Sequence, residues 1–124
     1  QNYNTGRWLG FLKDMDLTID LQKSTPVSSV SLTVNVSKGA AVMDATGLEV
    51  WCSEDGKEYR KLASASYPVL DKEDKDGIYP HTLSFSVVET RYVRIIARVT
   101  PKLPAWHMWP GNPAFLFVDE VCVK

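Results

Sequence analysis

Two stretches of this chain carry aromatic and hydrogen-bonding side chains that an alternating strand core has no use for. One is Pro104-Ala105-Trp106-His107-Met108-Trp109-Pro110-Gly111-Asn112-Pro113; the other is Gly6-Arg7-Trp8-Leu9-Gly10-Phe11. A tryptophan face combines large apolar area with a negative π lobe, so it stacks on the C–H face of a sugar ring. His, Asn and Arg beside such a ring supply the donors and acceptors that orient hydroxyls. Trp106, His107, Trp109 and Asn112, with Arg7 and Trp8, are therefore the candidate carbohydrate-binding residues. The same rings can instead plug the ends of a β-sandwich, the use favoured for Trp8 beside Phe11.

Other chemistry is poorly supplied. Nucleophilic catalysis needs a base next to the nucleophile. The two histidines, His81 and His107, accompany no Gly-x-Ser-x-Gly elbow. His81, following Tyr79-Pro80, is expected at the surface. Two Cys and two His without paired spacing argue against zinc. Asp71-Lys72-Glu73-Asp74-Lys75-Asp76-Gly77 fails the calcium-loop template, because lysines interrupt the ligand alternation, and it reads as a solvated charged loop. Asp119 and Glu120 are adjacent on a strand, point to opposite faces and cannot act as a paired acid and base. Asn35-Val36-Ser37 matches a glycosylation sequon. No catalytic and no metal residue is assigned.

The elements that must position the loops show a period of two. Asp16–Leu21 places Leu17, Ile19 and Leu21 on one face. Val30–Val36 alternates, as does Leu48–Cys52 with Leu48, Val50 and Cys52 inward and Trp51 outward. Leu83–Val87 alternates, and Arg91–Val99 puts Val93, Ile95, Ala97 and Val99 on one face. A short strand is expected around Tyr59–Ala63, and a last one over Ala114–Val123 with Val121 and Val123 inward. Turn chemistry separates them: the polar run Gln22–Pro26, Ser53-Glu54-Asp55-Gly56-Lys57 with its Asp-Gly pair, and the Pro-rich stretch Thr100–Pro113. Glu120 is expected to pair with Arg94 across neighbouring strands. Cys52 and Cys122 face opposite ways, which favours two free thiols over a disulfide.

At 124 residues, 44% hydrophobic and 23% charged, this is one soluble-type domain over 1–124. A net charge of -1 gives nucleic acid or an anionic membrane no electrostatic hold. No run approaches the roughly 20 apolar residues of a membrane helix. Short alternating strands without a helical period make the expected class all-β, an antiparallel sandwich or barrel.

Trp8-x-Gly10-Phe11, Asp14-Met15 and Leu17-Thr18-Ile19-Asp20-Leu21-x-Lys23 resemble the start of the discoidin, or factor V/VIII type C, domain. Leu48-Glu49-Val50-x-Cys52-Ser53-Glu54-Asp55-Gly56-Lys57, Arg91-Tyr92-Val93-Arg94-Ile95 and Phe115-Leu116-Phe117-Val118-Asp119-Glu120-Val121 resemble its later strands. The variety it looks most like is the C-terminal module of bacterial β-hexosaminidases of the chitobiase type. The resemblance implies an antiparallel jelly-roll sandwich of the galactose-binding-domain kind. It also implies a family 32-like carbohydrate-binding module of a glycosidase from a Bacteroides-like bacterium, periplasmic, outer-membrane-associated or extracellular. Its partners would be a glycan containing N-acetylhexosamine or galactose and the catalytic domain of the same polypeptide. The alternative is a structural module that packs on that catalytic domain without binding sugar. No cofactor is implied. Relatives often carry a calcium loop ahead of the Trp-x-Gly-Phe motif, and this chain is expected to start after it. The loop Lys38–Asp44, where look-alikes often place aromatics, is small and aliphatic here.

Overall fold

A computed structural model describes residues 13–124 in full, together with the backbone of 3–4 and 9–11. The strands are β1 (Tyr3–Asn4), β2 (Leu9–Phe11), β3 (Met15–Val36), β4 (Gly47–Ser53), β5 (Arg60–Ser66), β6 (Gly77–Arg98) and β7 (Leu116–Val123); a 3-10 turn covers Lys38–Ala40. All strand pairs are antiparallel, in the order β1-β7-β3-β6-β4-β5, with β2 also on β7.

Strands of 22 residues, the length of both β3 and β6, are far longer than a flat sheet tolerates, so they must bend. The bend in β3 falls at register shifts between Asp20 and Thr25 and between Val27 and Ser29. There Gln22 adopts φ 74 and donates its N–H to Asp20 Oδ1 at 2.7 Å. An extra residue in one strand is a bulge, which kinks the strand and increases its twist. The run Gln22–Pro26, expected as a turn between two strands, thus lies inside one: residues 21–24 form the bulge, and Thr25 and Pro26 pair with Thr90 and Glu89. Bulges and turns draw on the same polar residues and the same local side-chain bonds, so composition does not separate them. The matching bend in β6 interrupts the alternation of Leu83–Val87: Leu83 is buried, but Val87 is 68% exposed.

The bends divide one sheet path into two facing layers. Residues 15–20 of β3 pair with 92–97 of β6, and this part of β6 continues to β4 and then β5. Residues 29–36 of β3 pair with 77–84 of β6 on one side and with β7 on the other. Ile19, Leu48, Val50, Val93 and Ile95 of the first layer meet Val30, Leu32, Val34, Leu116 and Val118 of the second in one apolar cluster. This is the expected all-β antiparallel sandwich. Each fully buried Val, Leu or Ile contributes about 1.5–3 kcal/mol of transfer free energy.

The outer face of the first layer carries a ladder of ion pairs. Asp16 pairs with Arg94, Asp20 with Arg91, and Arg98 with both Asp14 and Glu49. The expected Glu120–Arg94 pair is not formed. Arg94 lies on β6 beside β3, whereas Glu120 is on β7, an exposed residue at φ 51 in the opposite layer. Trp51 faces outward as expected, half-buried, with Nε1–H donating to Glu49 at 3.1 Å and Lys61 over its ring. Cys52 is buried in the core, Cys122 is half-buried on the other face, and both thiols are free. Among the described residues no helix is long and apolar enough to cross a membrane.

Candidate functional site

Antiparallel register gathers three loops at one end of the second layer. Val36, the last residue of β3, pairs with Gly77, the first of β6, and Asn35 pairs with Phe117 near the start of β7. The connections 37–46, 67–76 and 99–115 therefore converge. Main-chain bonds weld the first to the third: Phe115 N–H donates to Ala41 O at 2.8 Å and Met43 N–H to Phe115 O at 3.0 Å.

The 99–115 loop is folded on itself. Leu103 N–H donates to Asn112 O at 2.8 Å and Gly111 N–H to Leu103 O at 2.9 Å, closing the loop at its neck. Gly111 sits at φ +83, a conformation that L side chains adopt only with strain, which is why this turn needs glycine. Buried Leu103 and Ala114 anchor the two ends. The Pro residues at 101, 104, 110 and 113 reduce the conformational entropy that the loop loses on ordering.

Within this loop the candidate residues take distinct positions. Trp106 is half-buried and packs against the core. Trp109 is 46% exposed and Met108 79%. His107, 7% exposed, lies between the two indoles, its ring centroid 5.7 Å from that of Trp106 and 5.6 Å from that of Trp109. Trp109 N–H donates to His107 Nδ1 at 3.0 Å. Since Nδ1 is the acceptor, the ring proton is on Nε2, and it is donated to Lys38 O at 2.6 Å. Both imidazole nitrogens are thus spent on the backbone, and His107 ties the main chain of Trp109 to that of Lys38. Asn112 is exposed, its backbone carbonyl in the loop neck and its N–H donating to Trp109 O at 3.3 Å. Arg7 and Trp8 lie outside the described residues.

Lys38, Gly39, Trp106, His107 and Met108 line a cleft of about 200 Å³. Sequence reading passed over Lys38 and Gly39 because their loop lacks aromatics. Lys38 is held on both sides: its carbonyl accepts from His107 and from Ala41 N–H, and its ammonium pairs with Asp76 at 2.9 Å and donates to the Asp74 carbonyl. Hydrogen bonds from the Lys38 ammonium and N–H hold the Asp76 carboxyl below its ordinary range. The charged loop 71–76 is exposed throughout, as expected, but the Asp76 carboxylate and the Asp74 carbonyl tie it to Lys38 at the cleft.

A second polar cluster lies at the same end. His81, expected at the surface, has a side chain only 10% exposed; its Nε2 sits 2.7 Å from Oδ1 of buried Asp44 and its ring stacks on Tyr67 at 4.1 Å. The Tyr79-Pro80 context suggested an open strand start. The Asp44 loop and the Tyr67 segment cover that start, and this coverage has no local sequence signal. Burial, with the Asp44 charge second, pushes the Tyr67 phenol up. Among the described residues no three His, Cys, Asp or Glu side chains are placed to hold a metal ion.

The fold and site can be set against known proteins. The family model described as the F5/8 type C domain matches residues 1–110. No curated protein sequence matches the chain. Among solved structures, chitosan-binding module 1 of a chitosanase/glucanase from Paenibacillus sp. IK-5 is 18% identical, with a TM-score of 0.55 over 90% of this chain and 68% of that one. The family 32 module of AlyQ, solved with 4,5-unsaturated mannuronic acid, is 14% identical, with a TM-score of 0.54 over 99% of this chain and 76% of that one. The C-terminal domain of a chitobiase from Bacteroides fragilis is 14% identical, with a TM-score of 0.53 over 90% of this chain and 62% of that one. These likenesses establish a common fold. The match across most of the sequence, together with the two-layer antiparallel sandwich and its converging loops, places the chain in the F5/8 type C, or discoidin, domain family.

Proposed function

We propose that this domain is a non-catalytic carbohydrate-binding module of a secreted bacterial glycoside hydrolase, of the β-hexosaminidase or chitobiase type, that holds glycan at its loop end. The observation that carries the reading is the exposed Trp109 ring, 5.6 Å from the ring of His107, which lines a cleft with Trp106, Met108 and Lys38 and spends both its nitrogens on the backbone. An indole face held in this way is a platform for the C–H side of a sugar. Asn112, and Arg7 and Trp8 from the N-terminal segment, are the remaining candidate contacts. The chitosan-binding module and the chitobiase C-terminal domain of the same fold support the assignment.

One shallow site gives weak affinity, on the order of millimolar to micromolar. The test is a titration with N-acetylglucosamine, N-acetylgalactosamine and galactose oligosaccharides, followed by NMR, on the wild type and on Trp109→Ala. Saturable shifts in residues 104–112 that vanish in Trp109→Ala support the reading. No binding to any sugar, or unchanged binding by Trp109→Ala, overturns it.

A second reading rests on the apolar side chains at this end, where Met108, Trp109 and Phe115 are all exposed. In that reading they pack against the catalytic domain of the same polypeptide without taking sugar. Protection of Trp109 from solvent in the intact enzyme would favour it.

A further inference from the structure

We propose that His107 is an acid-sensitive latch on the main chain at Trp109, and so on the placement of its indole: neutral His107 holds this segment in place and protonated His107 releases it. As a proposal about sugar binding it rests on the glycan-binding reading; as a statement about the loop it does not.

Donors and acceptors decide how the loop responds to a proton on His107. The Trp109 backbone N–H points at His107 Nδ1, and the Lys38 carbonyl faces Nε2. A neutral imidazole with its proton on Nε2 satisfies both. An imidazolium donates from both nitrogens, so protonation at Nδ1 sets two N–H groups against each other at 3.0 Å. The Lys38 bond can survive this change and the Trp109 bond cannot. Trp109 is the exposed member of the trio, while Trp106 is half-buried against the core. Relief therefore comes from moving Trp109.

Among the described residues none that lines the cleft with His107 carries a negative charge to offset the new one. Gly39, Trp106, Met108 and Trp109 carry no titrating side chain. From the 3-10 turn Lys38 brings a positive charge, already paired with Asp76 of the neighbouring connection. Among the described residues no carboxylate pairs with His107. His81 differs in this respect, since its Nε2 faces the Asp44 carboxylate, a partner that an imidazolium keeps. The two histidines of the chain are thus wired in opposite senses, and His81 serves as an internal reference.

The experiment is a ¹⁵N-resolved NMR titration of the domain from about pH 8 to about pH 5, the window in which histidine changes charge. The Trp109 amide is expected to shift with the same midpoint as the His107 ring, not that of His81. His107→Asn supplies a non-titrating acceptor near the Nδ1 position, so its Trp109 amide should stay still over this range. If a sugar binds, its apparent affinity should fall roughly tenfold one pH unit below the His107 midpoint, as the competent fraction falls to about a tenth. A Trp109 amide that ignores the His107 midpoint in the wild type overturns the latch, whether or not the variant folds. So does a pH shift of the same size in folded His107→Asn. Co-titration without binding of any sugar keeps the latch and removes the glycan reading.

Discussion

Arg94 grips Asp16 with two hydrogen bonds, Nε to Oδ1 at 2.8 Å and Nη2 to Oδ2 at 2.5 Å, reaching from β6 to β3 across the outer face of the first layer. The fork geometry of guanidinium and carboxylate makes this a directional contact as well as a charge pair. Both side chains remain well exposed. A double-mutant cycle of Arg94→Ala and Asp16→Ala, read by urea denaturation, should therefore give a coupling of about 0.2–1 kcal/mol, shrinking at high salt.

The same ladder sets the acid limit of the fold. The hydrogen bonds from Arg94, Arg91 and Arg98 hold Asp16, Asp20 and Glu49 respectively below their ordinary pKa values. A carboxyl with a lowered folded pKa binds a proton less readily in the native state than in the unfolded one. Its contribution is complete above the ordinary carboxylate range and is lost as pH falls through the depressed values. Melting temperature should be flat with respect to these groups between about pH 7 and pH 5 and drop steadily below about pH 4. Asp16→Asn combined with Glu49→Gln should flatten that acid limb in a thermal scan.

The two tryptophans of the long loop should separate cleanly. Trp106 packs on the core but is only half-buried, so Trp106→Ala should cost about 2 kcal/mol, roughly half the value for a fully buried Trp. Trp109→Ala, at an exposed position, should leave stability within about 0.5 kcal/mol while abolishing glycan-induced shifts. Equal losses of stability in both variants would contradict their different burial.

His81→Ala removes the partner of a buried carboxylate. Asp44 would retain its bond from Ala45 N–H at 2.8 Å but lose the imidazole. The expected cost is about 1–3 kcal/mol in equilibrium unfolding. Restoring a donor with His81→Gln should recover part of it.

Gln22 occupies the left-handed region at the β3 bulge. Gln22→Gly should stabilise the domain by a few tenths to about 1 kcal/mol, the relief of backbone strain exceeding the entropy glycine adds to the unfolded chain. A destabilised Gln22→Gly variant would mean that the side chain does more than sit on the bend.

How much of this was legible in the sequence follows from the range of each interaction. The inward sets Val30, Leu32, Val34 and Val93, Ile95, Ala97 were readable because period two is local and each face is either dry or wet. The Asp-Gly turn was readable too: Asp55 Oδ1 accepts from Lys57 and Glu58 N–H, and Gly56 stands at φ 75. That β3 runs on through Gln22–Pro26 was not, because a bulge borrows the residues of a turn. Arg94 took Asp16 rather than Glu120 because strand adjacency is a property of topology, and adjacent strands need not be adjacent in sequence. At the site, the Trp106–Trp109 cluster was visible as aromatics in a Pro-rich loop. Lys38 and Asp44 were not, since their roles depend on a carbonyl and a carboxylate meeting histidines more than thirty residues away.

The two bent strands also govern how the domain comes apart. Each belongs to both layers, and their pairing joins Met15 to Ala97 at one end and Val36 to Gly77 at the other. Neither layer can detach while the other survives, because removing one strand takes half of each. Closure of this ribbon is a single distant search along the chain, the slow kind that high contact order imposes. The domain should therefore fold on the millisecond-to-second scale in one cooperative step.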